Sequence, residues 1–269
     1  MSIKLIALDL DGTLLNSDKV VSKRTLDALQ HAIDAGVYMT IATGRMFLSA
    51  AYFGEVVHAN APLICCNGGV VQELGAKEPL FARKLKPETV RKILTICHEH
   101  PGWYANWYIG TEIYVEKFLP EYFYAYRTDK NFRVREVGDD YLQYTENVLQ
   151  CVGRNLTGEI PELVKAVVAA CGDEVHPQQN TEATVDLTPP GVNKALGLSV
   201  LAEHLGLTRD EIMACGDSDN DLAMLEFAGT AVVPANGIPA AKELATDLVP
   251  SNDEDGIAQA VERLVLTSA

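Results

Sequence analysis

Four times along this chain a short apolar run stops at a cluster of polar and glycine residues. IKLIAL (3–8) meets Asp9-Leu10-Asp11-Gly12, and VYMTIA (37–42) meets Thr43-Gly44-Arg45. PLICC (62–66) meets Asn67-Gly68-Gly69, and EIMAC (211–215) meets Gly216-Asp217. Runs of this length without polar alternation suit strands covered on both faces, the condition of a parallel sheet. Helical patterns lie between them. Ser22 can cap a helix whose Leu26, Leu29 and Ile33 share one face and which Gly36 closes; further helices are expected at about 193–204 and 219–228, and a strand at 231–233. Strand and helix in repeated alternation predict an α/β fold with a doubly wound, Rossmann-like parallel sheet. Such sheets take ligands beyond the carboxyl ends of their strands, which is where the polar clusters fall.

The middle of the chain has a different character. Between about residue 80 and 188, helical stretches (87–99, 159–171) alternate with aromatic, strand-like pieces such as WYANWY (103–108) and EIYVEK (112–117). Eight of the ten tyrosines and both tryptophans lie here. This pattern predicts an inserted α+β module with an antiparallel sheet at 82–188, splitting a core made of 1–81 and 189–269. Pro189-Pro190-Gly191 suits a defined bend at the return to the core. The aromatic residues are read as packing, so none is assigned to a substrate.

Bulk properties exclude several classes. With 22 Lys and Arg against 37 Asp and Glu, the net charge of −15 and the lack of a basic run speak against nucleic acid as a partner. The six cysteines (65, 66, 97, 151, 171, 215) have no CxxC spacing, which fits reduced thiols better than disulfides or zinc. Asp9 interrupts the first apolar run before a signal-peptide core forms, and no run is long enough for a membrane span. A cytoplasmic protein without a membrane partner is expected; nothing in the sequence indicates an oligomeric state.

The polar clusters carry the chemistry. In extended chain Asp9 and Asp11 project to the same side, and two carboxylates that close repel unless a cation lies between them. A lone Asp-Gly is ordinary turn chemistry, but the ordered string DLDGTLL (9–15) points to function. ACGDSDNDL (214–222) supplies Asp217, Asp219 and Asp221 with Asn220, a dense set of the hard oxygen ligands that magnesium takes. One of these can cap a helix, but three carboxylates exceed what capping needs. Thr43 and Gly44 before a helix offer an anion site, and Lys194 at another helix start offers a compact positive charge.

In this order, DxDGT at 9–13, Thr43-Gly44, Lys194 before a helix and GDxxND at 216–221 resemble the haloacid dehalogenase superfamily of phosphohydrolases. The aromatic insertion and TPPGVNKALGL (188–198) are similar to the Cof-type branch with its large α/β (C2B-type) cap. Asn67-Gly68-Gly69 departs from the Asn-Gly-Ala expected in that branch. The resemblance implies a phosphatase that acts on small phosphorylated metabolites such as sugar phosphates through an aspartyl-phosphate. It implies Asp9 as nucleophile and Asp11 as general acid and base. It implies Mg2+ held by Asp9, the Asp11 carbonyl and Asp217, with Asp221 orienting rather than ligating. The phosphate would be held by the Leu10 amide, Thr43, Gly44, Lys194 and Asn220. A phosphomutase or phosphotransferase of the same superfamily, and a non-catalytic sensor of phosphorylated metabolites, are the alternatives.

Overall fold

The computed structural model describes residues 2–126, 133–155, 160–181 and 183–266. Its elements run β1 (Leu5–Leu8), α1 (Lys23–Asp34), β2 (Tyr38–Ile41), α2 (Phe47–Val56), β3 (Leu63–Cys65), β4 (Val70–Gln72), β5 (Phe81–Ala82). They continue with α3 (Pro87–Glu99), β6 (Trp103–Ile109), β7 (Glu112–Val115), β8 (Val134–Glu136), β9 (Val148–Asn155), α4 (Ile160–Cys171), β10 (His176–Thr181) and β11 (Thr184–Thr188). The last part holds α5 (Lys194–Leu205), β12 (Ile212–Cys215), α6 (Leu222–Phe227), β13 (Thr230–Pro234), α7 (Pro239–Leu244), β14 (Asp247–Val249) and α8 (Gly256–Val261). The chain clusters into two compact units: Met1–Gly44, Ala50–Phe81 and Asn193–Ala269 in one, Arg45–Ser49 and Ala82–Val192 in the other.

The first unit is built on a five-stranded sheet in the order β14-β13-β12-β1-β2, with every pairing parallel. β1 and β12 are buried at every position, as their unbroken apolar sequences require. Ser22 caps α1 by accepting from the Thr25 amide, and the left-handed Gly36 follows the C-cap, Ala35. Asn193 caps α5 in the same way, accepting from the Leu196 amide at 2.9 Å. The 219–228 helix is in two parts, a 3₁₀ turn over Asp219–Asp221 and then α6.

The run at 62–66 lies parallel beside the end of β2, through the Ala42–Ile64 bridge and the hydrogen bonds from the Ala61 amide to the Met39 carbonyl at 3.2 Å and from the Thr43 amide to the Ile64 carbonyl at 2.9 Å. On its other edge β3 pairs antiparallel with β4, in a small sheet with β5 that the repeat pattern does not predict. Three apolar residues carry no information about which neighbour they pair with, and the turn at Asn67-Gly68 decides it.

The second unit contains a six-stranded sheet ordered β10-β11-β9-β6-β7-β8. It is antiparallel except at one edge, where β7 and β8 pair in parallel. One face of this sheet carries Ala105, Trp107, Cys151, Val185 and Leu187, which pack with Ile93, Leu94, Leu163 and Val167 of α3 and α4 into a single apolar core.

Candidate active site

The site lies in the first unit, where β1 and β12 leave the sheet side by side. Leu8 pairs with Cys215, and the Asp9 amide extends the ladder by donating to the Cys215 carbonyl at 3.0 Å. The next residues of each strand, Asp9 and Gly216-Asp217, are therefore neighbours by construction. Beyond Asp9 the chain abandons strand geometry. Leu14 and Leu15 donate back to the carbonyls of Asp9 and Leu10, at 3.3 and 2.9 Å, and Gly12 takes a φ of +87°. A Cβ at Gly12 would lie 2.4 Å from Oδ2 of Asp217, so only glycine lets the two acidic loops meet.

Lys194, the first residue of α5, is fully buried, and its Nζ donates to Oδ1 of Asp9 and Oδ1 of Asp221, each at 2.6 Å. Asp221 uses its other oxygen to organise its own loop: Oδ2 accepts from the amides of Asp217 and Ser218, both at 3.0 Å. Gly216 is needed here because a Cβ would sit 2.5 Å from Cγ of Asp221. Thr13 donates its hydroxyl to Oδ1 of Asp217 at 2.7 Å. The result is a knot in which each acidic side chain is fixed by a group from a different segment.

Its charge balance is uneven. Asp9, Asp217 and Asp221 present oxygens within 4.8 Å of one another, and Lys194 is the cation that touches two of them. Burial, then the charge of Asp221, hold the Asp9 carboxyl well above the usual carboxylate range. Burial also pushes Asp217 up, to about 6, against the hydrogen bond from Thr13 that favours its ionised form. Burial opposes the charge on Lys194, but Asp221 and Asp9 outweigh it and raise the ammonium's pKa, so the lysine stays protonated. Three hard carboxylates against one lysine leave a surplus negative charge that a divalent cation fits.

The remaining sequence-predicted residues divide. Thr43 is buried at the end of β2, its amide donating to the Ile64 carbonyl at 2.9 Å and its carbonyl accepting from Asn67 at 3.1 Å. Gly44 follows it, half-buried. Asn220 donates to Oδ1 of Asn67 at 3.3 Å and accepts from Ser218 at 2.8 Å, so it joins the loop after β3 to the loop after β12. Leu10 is buried with its carbonyl taken by Leu15. Asp219 is exposed and outside the carboxylate cluster. Asp11 does not share a point with Asp9 as extended-chain alternation predicts. Its side chain is exposed and accepts from Lys19 at 3.0 Å: the strand ends at Leu8, so alternation no longer directs it, and the turn through Gly12 brings Lys19 back to it.

Sequence reasoning did not find the clamp on the Asp11 loop. Asn236 donates to the Gly12 carbonyl at 2.7 Å, and Asn252 donates to the Leu15 carbonyl at 2.8 Å and to Oδ1 of Asn236 at 3.1 Å. Asp253 accepts from the amide and hydroxyl of Ser17, both at 2.7 Å. The one local signal was the capping box Ser251–Glu254, which places Asn252 and Asp253 at a turn but says nothing of their partners. Asn67, which the sequence marks only as part of Asn67-Gly68-Gly69, is fully buried in a left-handed conformation.

A parallel α/β core, an inserted module and a carboxylate–lysine knot at two strand ends define a haloacid dehalogenase-type hydrolase. Residues 6–261 match the haloacid dehalogenase-like hydrolase family, and the chain belongs to it. It is 30% identical over 261 residues to the 5-amino-6-(5-phospho-D-ribitylamino)uracil phosphatase YitU of Bacillus subtilis, covering 95% of each chain. It is 29% identical to a phosphoglycolate phosphatase of Methanothermobacter thermautotrophicus, over 98% of this chain and 99% of the other. A haloacid dehalogenase-like hydrolase from Bacteroides thetaiotaomicron superposes with a TM-score of 0.88 at 31% identity, covering 97% and 99% of the two chains. By family and by these relatives the enzyme is a phosphoric monoester hydrolase. Among the described residues no helix is long and apolar enough to cross a membrane.

Proposed function

We propose that this enzyme is a Mg2+-dependent, cytoplasmic phosphatase of small phosphorylated metabolites of the sugar- or polyol-phosphate kind, with Asp9 as its nucleophile. The observation that carries the reading is the knot itself. A carboxylate held at a strand end against a buried lysine, with Asp217 beside it, is arranged for an anionic partner and a cation together. Asp9, Asp217 and the Asp11 carbonyl would hold Mg2+, whose positive charge lets a carboxylate approach an anionic phosphate. Asp221 has both oxygens committed, one to Lys194 and one to two backbone amides, which supports positioning rather than ligation.

The chain's own residues then divide the work. An oxygen of Asp9 attacks phosphorus, the bond from phosphorus to the ester oxygen breaks, and Asp11 gives its proton to the leaving alkoxide. In the second half Asp11 takes a proton from water as that water attacks phosphorus, which releases inorganic phosphate and restores the Asp9 carboxylate. Lys194, Thr43, the amides that follow Asp9, and Asn220 stabilise the charge on the transferring group. The exposure of Asp11 suits a group that must meet both leaving group and water.

Relatives named for a ribitylaminouracil phosphate and for phosphoglycolate match this chain about equally, so overall identity does not select the substrate. Six buried cysteines, none of them in a disulfide, support a reducing compartment. The units divided near Phe81 and Asn193 are read as a catalytic core and a substrate-selecting cap. The test is phosphate release across a panel of monophosphates, with Mg2+ or with chelator, for wild type and Asp9→Asn. Magnesium-dependent release that Asp9→Asn abolishes, without loss of fold, is expected. Turnover of the variant within tenfold of wild type would remove Asp9 from the nucleophile role.

A further inference from the structure

The loop that leaves β1 supports itself at both ends but not at its centre. The Leu14 and Leu15 amides donate back to the Asp9 and Leu10 carbonyls at 3.3 and 2.9 Å. Farther on, Oδ1 of Asn16 accepts from the Asp18 and Val20 amides at 3.1 and 3.0 Å. Asp11 lies between two peptides. The one before it is held by the bond on the Leu10 carbonyl, and the one after it leads into Gly12, whose φ is +87°. Asp217 leaves no room for a side chain at Gly12. Glycine has the freest backbone of any residue, so the position that must be glycine is also the one most in need of a pin.

The pin comes from the turn after β13. Nδ2 of Asn236 donates to the Gly12 carbonyl at 2.7 Å, while its Oδ1 accepts from the Asn252 amide at 3.1 Å. The same turn reaches the other acidic loop: the Ile238 amide donates to the Asp217 carbonyl at 2.8 Å. It is closed by the Gly237 amide on the Pro234 carbonyl, also at 2.8 Å, so one short turn holds the backbones of the Asp11 and Asp217 loops together. The loop so held returns Lys19 to the Asp11 carboxylate at 3.0 Å, which makes its path part of that carboxylate's surroundings. Asn236 is exposed, and an exposed hydrogen bond adds little to overall stability. Its placement matters more than its strength.

We propose that Asn236 is a positioning residue for the reaction: by pinning the Gly12 carbonyl it fixes the peptide after Asp11, and with it the geometry in which Asp11 gives its proton to the leaving group. The proposal rests on the phosphatase reading above, in which Asp11 is the general acid. Asn236 acts through Gly12 and takes no part in bond making. A misplacement of about 1 Å in a reacting group can cost about 10²-fold in rate, so a bond that contributes little to the fold can still govern turnover.

The experiment measures kcat/KM at saturating Mg2+ for propyl phosphate and p-nitrophenyl phosphate, whose leaving group needs no proton. The proteins are wild type, Asn236→Ala, Asn236→Asp, Asp11→Asn and the double variant Asp11→Asn with Asn236→Ala. In Asn236→Ala the ratio of kcat/KM for propyl phosphate to that for p-nitrophenyl phosphate should fall at least about tenfold. Asn236→Asp keeps the acceptor for the Asn252 amide and loses the donor to Gly12, so its ratio should fall as far. With Asp11 already replaced, Asn236→Ala should slow propyl phosphate by no more than about twofold, because the group it positions is gone. A smaller fall in the ratio, a wild-type ratio in Asn236→Asp, or a larger further loss in the double variant would overturn the proposal. If wild type releases phosphate from neither ester, the phosphatase reading fails separately, and the pin is judged by hydrogen exchange. Leu14 and Leu15 amides that exchange at least about tenfold faster in Asn236→Ala, with those of β1 unchanged, support it; equal protection of the loop counts against it.

Discussion

Lys194→Met tests whether the knot is held by one buried charge. Methionine keeps the volume of the lysine stem and stays apolar, so the substitution deletes the ammonium and little else. Lys194 is fully buried and makes two 2.6 Å contacts, to an Asp9 of which 7% of the side chain is exposed and an Asp221 with no exposure. Removing one member of a buried ion pair while its partners remain costs about 3–5 kcal/mol, far above the effect of a surface bridge. For a unit of this size that corresponds to a fall in Tm of about 6–20 °C. The sign with pH also follows. Without the lysine, Asp9, which burial already holds above the usual carboxylate range, takes up a proton in the native state that the unfolded chain releases, so the variant gains stability as pH falls. Thermal unfolding in chelator at pH 8 and pH 5 measures both quantities, and the deficit should be larger at pH 8. Adding Asp9→Asn and Asp221→Asn to the lysine variant should recover much of the loss, as a cycle over coupled residues requires. A deficit below about 1 kcal/mol, or one that ignores pH, would refute the claim that Lys194 neutralises these carboxylates.

Two further outcomes follow from the same geometry. Asp217 is pushed up to about 6 from an ordinary 3.8, so the native protein without metal binds protons that the unfolded chain has lost, and its stability should fall as pH rises through that window. Allowing for its partial exposure, the difference between wild type and Asp217→Asn across pH 4 to 7 should be about 1–2 kcal/mol in chelator, and saturating Mg2+ should abolish it. Asp11→Asn should lose about 10²–10⁴-fold in kcat/KM on alkyl phosphates and much less on p-nitrophenyl phosphate, whose leaving group needs no proton; equal losses on both would take the acid role from Asp11.

What the sequence reveals of this fold depends on how far each signal reaches along the chain. β1 and β12 are legible because burial on both faces writes itself into four consecutive apolar residues, and the acidic loops are legible because they follow those strands directly. The placement of Asp11 is lost where the strand ends at Leu8: beyond it alternation no longer sets side-chain direction, and the turn that follows brings Lys19 to the Asp11 carboxylate. The clamp is invisible for another reason. Asn236 meets Gly12 across 224 positions and Asn252 meets Leu15 across 237, and an asparagine in a loop looks the same whether it faces water or a carbonyl. Gly68 shows how a departure in a motif can mark the wrong residue. The unexpected glycine is Gly69, but the constrained one is Gly68, where a Cβ would fall 1.9 Å from the Asn193 carbonyl at the start of α5. That close approach seats the helix, and the helix carries Lys194 to Asp9. Read alone, a lysine at a helix start is a solvated charge. Its burial becomes tolerable only when Asp9, 185 residues away, and Asp221, 27 away, arrive at the same point, so the lysine and the carboxylates each make the others' position possible.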